Sequence, residues 1–150
     1  MENIFDKTVS EKIIERINLL NSTSEPKWGK MTVGQMLAHC NVTYEMIYTD
    51  KYPKPNSFKK FMLKAFVKKT VVGEKPYPKN GRTAPQFLIT NQREFEKEKS
   101  RLIEYIEKTQ NLGENHFINK ESHSFGKLTK IEWNNMFYKH LDHHLNQFGV

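Results

Sequence analysis

The stretch 133–148, reading WNNMFYKHLDHHLNQF, limits what this chain can fold into more than any other. Trp133, Met136, Phe137, His140, Leu141, His144, Leu145 and Phe148 recur at i, i+3, i+4, i+7 spacing, which is one continuous face of an α-helix. Such a stripe faces a core. His140 and His144 belong to it and stand one turn apart, so their imidazoles project side by side. His143 falls on its shoulder. Three of the six histidines therefore sit on one helix. Buried polar groups without partners are costly. Adjacent inward imidazoles need either hydrogen bonds to backbone or carboxylates, or a divalent metal.

The remaining chain supplies further helices for that stripe to pack on. Thr8 and Glu11 have capping-box spacing, and Val9, Ile13, Ile14, Ile17 and Leu20 give an apolar face, so a first helix is expected over about 9–21. Thr32 and Gln35 repeat the capping box. Val33, Met36, Leu37, Cys40, Tyr44, Ile47 and Tyr48 follow on one face, and the helix stops before Pro53. Ser57 is placed to cap a third helix over roughly 58–70. Phe58, Phe61, Met62, Ala65 and Phe66 lie on one side of it and Lys59, Lys60, Lys64 and Lys68 on the other. The stretch 72–89 holds Gly73, Pro76, Pro78, Asn80-Gly81 and Pro85 and reads as a long loop; loops of this length are often covers or binding elements. A helix over about 90–110 presents Phe95, Leu102, Ile103 and Ile106 inward and is closed by Asn111-Leu112-Gly113. Residues 114–128 connect to the last helix, which Thr129 and Glu132 open with a third capping box. There is no internal repeat and no period-two alternation long enough for a sheet. The expected fold is all-α: four long helices in a bundle, with one extra short helix and a long loop between the second and third.

A chain of 150 residues suits one domain, 1–150, with a real core. Cys40 is the only cysteine, so no intrachain disulfide forms and a reducing compartment is expected. The start, MENIFDKTVSEK, has no apolar core of a signal peptide, and no run approaches the roughly 18 apolar residues of a membrane span, so the expected location is cytoplasmic. The net charge of +7 favours anionic partners without choosing among them. Basic recognition motifs and zinc-finger spacings are missing, so no nucleic-acid partner is expected.

The histidines carry the chemistry. HxxxH on a helix offers two ligands to a first-row metal, and neutral imidazoles serve zinc, nickel, iron or copper. A third must come from elsewhere, and His39, at the edge of the buried face of the second helix, is the best candidate. Three histidine ligands leave a position for water or substrate, the open geometry of catalytic metals. His143 reads as a supporting or surface residue, His116 and His123 as exposed, and Cys40 as a small core residue. Glu45 and Asp142 lie on the right helices, but at angles that turn them from the ligand face. Lys79, Arg82 and Phe87 in the long loop could meet a substrate; a plain crossover packed on the helices is the competing reading.

MLAHC in the second helix together with KHLDHHLNQFG at the end resembles the DinB-like (YfiT-like) superfamily of metal-dependent proteins, and HSFGKLTKIEWNNMFYKHLDHHLNQFG is especially similar to an uncharacterised branch of it. The similarity extends over nearly the whole chain. It implies a four-helix bundle holding a metal, often nickel or zinc, through one histidine of the second helix and the HxxxH pair of the last. On this sequence those are His39, His140 and His144. Some members resemble S-transferases or isomerases that use low-molecular-weight thiols, others resemble hydrolases, and many have no assigned reaction. The resemblance names no substrate for this chain.

The expected function is a metal-dependent enzyme of hydrolase or thiol S-transferase type, whose metal activates water or a thiol. The alternative is a protein that binds a metal, or a partner, without turnover. The helix over 58–70 either packs its phenylalanines on the bundle or on a second subunit, giving a homodimer, or lies as a basic amphipathic helix on an anionic surface. Packing is the expected outcome, because the apolar stripe is as narrow as an ordinary docking face.

Overall fold

Two of the helix starts are fixed by reciprocal caps. In the computed structural model, which describes residues 1–150, Thr32 accepts from the backbone N–H of Gln35 and the Gln35 side chain accepts from that of Thr32, opening α2 (Val33–Tyr48). Thr129 and Glu132 do the same for α6 (Lys130–Phe148). Each box satisfies two backbone donors that a helix start otherwise leaves without partners. At the far end of α6, Gly149 takes φ 82°, and the Val150 N–H returns to the carbonyl of Leu145 at 3.1 Å. That left-handed residue stops the helix where a side chain would be strained.

The other helices are α1 (Lys7–Asn18), α3 (Ser57–Phe66), α4 (Lys68–Val72) and α5 (Phe95–Phe117). A single 3-10 turn, Pro85–Phe87, interrupts the long crossover, and β1 (Glu121–Ser122) pairs antiparallel with β2 (Gly126–Lys127). The chain is thus mostly helical with one small hairpin. Helix α2 packs on α5 and α6; α1 packs on α5 and α6; α5 and α6 touch; and α4 lies on α6. Between them lie Ile13 and Ile17 of α1, Leu37 and Tyr44 of α2, Leu102 and Ile106 of α5, and Phe137 and Leu141 of α6, all buried. Tyr44 stacks between Tyr105 and Phe137, with ring centroids 5.5 and 5.2 Å away. Full burial of side chains of this size stabilises the fold by about 1.5–3 kcal/mol each.

Several boundaries differ from the sequence expectation. Helix α1 starts at Lys7 after Asp6, and no side chain caps it, so the Thr8–Glu11 box does not form. It ends at Asn18, and Asn21 turns the chain by accepting from the Thr23 N–H at 2.9 Å. The cap of α3 is Asn56, whose side chain accepts from the Lys59 N–H, one residue ahead of Ser57. The expected single helix over 58–70 breaks at Val67 into α3 and α4. Helix α5 begins five residues later than expected and runs on to Phe117. Gly113, with φ 70° and ψ 164°, breaks its backbone at the expected stop, but helical turns resume beyond it. The hairpin at 121–127 was not expected at all. Its strands are two residues long, too short for alternation to show.

Candidate metal centre

Helix α2 aims His39 toward α6, and α6 returns His140 and His144 from successive turns. One ring nitrogen of each lies within 4.8 Å of the others. His39 Nε2 and His140 Nε2 are 3.0 Å apart. The ring centroids are 4.5 Å apart for His39 and His144, 5.0 Å for His39 and His140, and 4.9 Å for the α6 pair. The structure therefore brings together residues 101 positions apart in the chain.

The opposite nitrogen of every ring is held by an oxygen. His39 Nδ1 faces the carbonyl of Phe87 at 2.8 Å. His144 Nδ1 faces Gln147 Oε1 at 2.8 Å. The Gln147 amide nitrogen donates to the carbonyl of Trp28 at 2.7 Å, which fixes which end of that amide meets the imidazole. A carbonyl oxygen can only accept, so both Nδ1 atoms carry the proton and both Nε2 atoms keep a lone pair. His140 Nδ1 lies 3.0 Å from Thr43 Oγ1, and a hydroxyl serves either tautomer. Metal-binding histidines are usually oriented in this way, by a partner on the nitrogen away from the ion.

Burial pushes all three imidazoles below their ordinary range, His144 to about 3, because a desolvated imidazolium is costly. Neighbouring histidines add to the effect on each, while the bonds to Phe87 and Gln147 oppose it at His39 and His144. The rings are therefore neutral at pH 7, the form a metal requires. Three neutral donors from two helices could hold a divalent ion.

The crossover covers this centre. The Phe87 ring lies 5.3 Å from that of His39 and 5.8 Å from that of His140. Tyr77 stands edge-on to His140 and His143, at 6.3 and 5.5 Å. Lys139, buried one residue before His140, ties the start of the crossover down. Its Nζ donates to the carbonyls of Thr70 at 2.8 Å, Lys75 at 3.1 Å, and Gly73. Burial lowers its pKa to about 8, which leaves it largely protonated at pH 7.

Of the other residues weighed from the sequence, Phe87 touches the centre. Lys79 lies 4.4 Å over the Trp28 ring, and Arg82 is exposed. His143 is half-buried between Trp28, Tyr77 and His144. His116 is exposed beside Lys120. His123 is half-buried, against the expectation, and bonds to Ser124 and to the carbonyl of Tyr52. Cys40 is buried in the core, where desolvation pushes its thiol pKa well up. Glu45 is engaged by Lys51, Tyr52 and Arg101, and Asp142 by Arg16. Sequence reasoning missed Thr43, Gln147, Trp28, Tyr77 and Lys139. Gln147 was findable at i+3 from His144 and Thr43 at i+4 from His39. The rest meet the site through tertiary contact, which leaves no local spacing.

A family model described as a protein of unknown function, DUF1569, matches residues 5–149. No match is found among curated proteins, and none among solved structures.

Proposed function

The chain belongs to the DUF1569 family, whose function is unknown, and from there we propose that it is a metal-dependent enzyme with a three-histidine centre at His39, His140 and His144. The observation that carries the reading is the set of oxygens behind the rings: Phe87 O and Gln147 Oε1 leave a lone pair on the facing nitrogens of His39 and His144, and Thr43 Oγ1 serves the tautomer of His140 that an ion would need. The donor set suits zinc or nickel. The resemblance to the DinB-like superfamily agrees with this reading, and under it α1, α2, α5 and α6 are the four helices of the bundle.

A divalent ion held by neutral imidazoles keeps its charge, and the chemistry it supplies is a lowered pKa for water or a thiol together with attraction for anions. The chain's own residues do the rest. Burial keeps the three rings neutral. Phe87 and Tyr77 keep bulk water from one side, which strengthens electrostatic interactions inside. His143, half-buried beside His144, is the titratable side chain placed to take or return a proton. The three carboxylates on these helices, Glu45, Glu132 and Asp142, are each paired with a cation elsewhere. The reaction class is hydrolysis of an ester or amide, or transfer of a low-molecular-weight thiol to an electrophile.

The test has two stages. Purified wild-type protein is analysed for metal beside His140→Ala. Equal metal in both would end the reading. Metal-loaded protein is then screened with ester, amide and thiol-plus-electrophile substrates, beside a variant lacking all three histidines. Turnover that needs the imidazoles supports an enzyme, and the active substrate separates hydrolase from transferase. Bound metal with no turnover on any substrate would leave a metal-binding protein only.

A further inference from the structure

Helix α3 is built the wrong way round for a helix that serves the core. Phe58, Phe61, Met62, Ala65 and Phe66 form one face by spacing. Their large side chains are 75%, 65%, 39% and 72% exposed for Phe58, Phe61, Met62 and Phe66. The side turned to the protein carries Leu63, partly buried against the core, and Lys60, which pairs with Glu121 at 3.2 Å. The expected packing of the phenylalanine face on the helices does not occur. Three phenylalanines and a methionine leave on the order of 500 Å² of apolar surface in contact with water, near the top of what one patch on a monomer usually shows.

The charge of the stretch of chain that contains this face is one-sided. Residues 51–79 hold nine lysines and a single acid, Glu74, a net +8 in a chain whose total is +7; the other 121 residues sum to −1. Lys59 and Lys64 flank the apolar face, and neither has a carboxylate within ion-pair distance; Lys69, just beyond α3, has none either.

We propose that α3 is a membrane-surface anchor: it docks its Phe58–Phe61–Phe66 face into the interface of an anionic lipid bilayer, with Lys59, Lys64 and Lys69 on the headgroups. A helix of this kind lies in the interface plane with its apolar side at the acyl boundary, and its lysines reach to the phosphates. A second copy of the chain fits less well. Pairing through α3 would set the unpaired Lys59, Lys64 and Lys69 of two copies against each other, and the apolar area falls short of the roughly 800 Å² per partner of a stable complex.

Flotation with vesicles of phosphatidylcholine alone, and of phosphatidylcholine with phosphatidylserine, tests this on the full chain. Wild-type protein should float with the anionic vesicles and stay behind with the neutral ones. Each of Lys59→Gln and Lys64→Gln should weaken binding about fivefold, and Phe61→Ser/Phe66→Ser should abolish it. These positions are exposed, and circular dichroism checks that the variants remain folded. Failure to bind anionic vesicles overturns the proposal, as does equal binding to neutral ones. A dimer in sedimentation that the Phe61→Ser/Phe66→Ser variant dissolves also overturns it. So does binding to duplex DNA that needs the lysines but not the phenylalanines.

Discussion

At the scale of single residues, an ion bound at the centre would depend on atoms that it never meets. Thr43 and Gln147 hold His140 and His144 from behind, and such supports typically change metal affinity roughly ten- to a hundredfold. Thr43→Val and Gln147→Leu should each weaken zinc or nickel binding by about that factor, with all three ligands present, in a chelator competition. Unchanged affinity would mean that the rings are set by packing alone. Lys139 offers a second case. It is the shared donor to three backbone carbonyls at 70, 73 and 75. Lys139→Met keeps the length of the side chain and removes the donor. Buried carbonyls left without partners cost about 1–3 kcal/mol, and that loss should appear in urea unfolding. Cleavage within 73–89 should also quicken in limited proteolysis. A variant cut no faster than wild type would show that Tyr77 and Phe87 hold the crossover by themselves.

At the scale of elements, α2 and α5 are clasped by charge as well as by the core. Glu45 of α2 receives Lys51 and Tyr52 from the following loop and Arg101 from α5, and Arg101 also donates to Glu98 at 2.7 Å. Burial pushes the Glu45 carboxyl up, but the bonds from Lys51 and Arg101 outweigh it and hold the group below the usual carboxylate range. Its folded pKa is lower than its unfolded one, so its contribution is complete above the unfolded value and is lost as pH falls through the folded one. Glu45→Gln should cost about 1–3 kcal/mol at pH 7, discounted because Arg101 and Lys51 are partly exposed. The gap to wild type should close as urea unfolding is repeated at lower pH; a gap constant down through the carboxylate range would place the cost in packing instead. Which elements could be read in advance follows the same logic of local and distant causes. The Thr32–Gln35 and Thr129–Glu132 boxes were legible because a cap and its partner are three residues apart. Thr8–Glu11 had the same spacing and failed, since the chain enters the helix two residues earlier, at Asp6 and Lys7. The break at Val67 and the outward turn of the α3 phenylalanines depend on where α4 meets α6, and no window of sequence contains that. His39, His140 and His144 were legible for the opposite reason. Each lies on or beside an apolar face, and two such faces must pack.

At the scale of the whole molecule, the centre ties α2 to α6, positions 39 and 140 of one chain, so an ion bound there also acts on folding. A ligand that binds only the folded state stabilises it by RT ln(1 + [L]/Kd), about 2.7 kcal/mol at a hundredfold excess over Kd. For a chain of this length each kcal/mol moves the unfolding temperature by roughly 2–4 °C. Zinc or nickel at that excess should therefore raise it by about 5–10 °C over chelator-treated protein, read by circular dichroism or calorimetry. His140→Ala should lose the increment, because two remaining imidazoles, one on each helix, bind far more weakly than three. His143→Ala should keep it, since that ring lies beside the ligand set and not in it. The two variants separate a metal tie from a general response to divalent cations. If wild type melts at one temperature with and without metal, then the three rings are held together by their hydrogen bonds and packing, and the ion adds nothing to the fold. If His143→Ala also loses the increment, the ligand set is different from the one that the ring nitrogens of residues 39, 140 and 144 define.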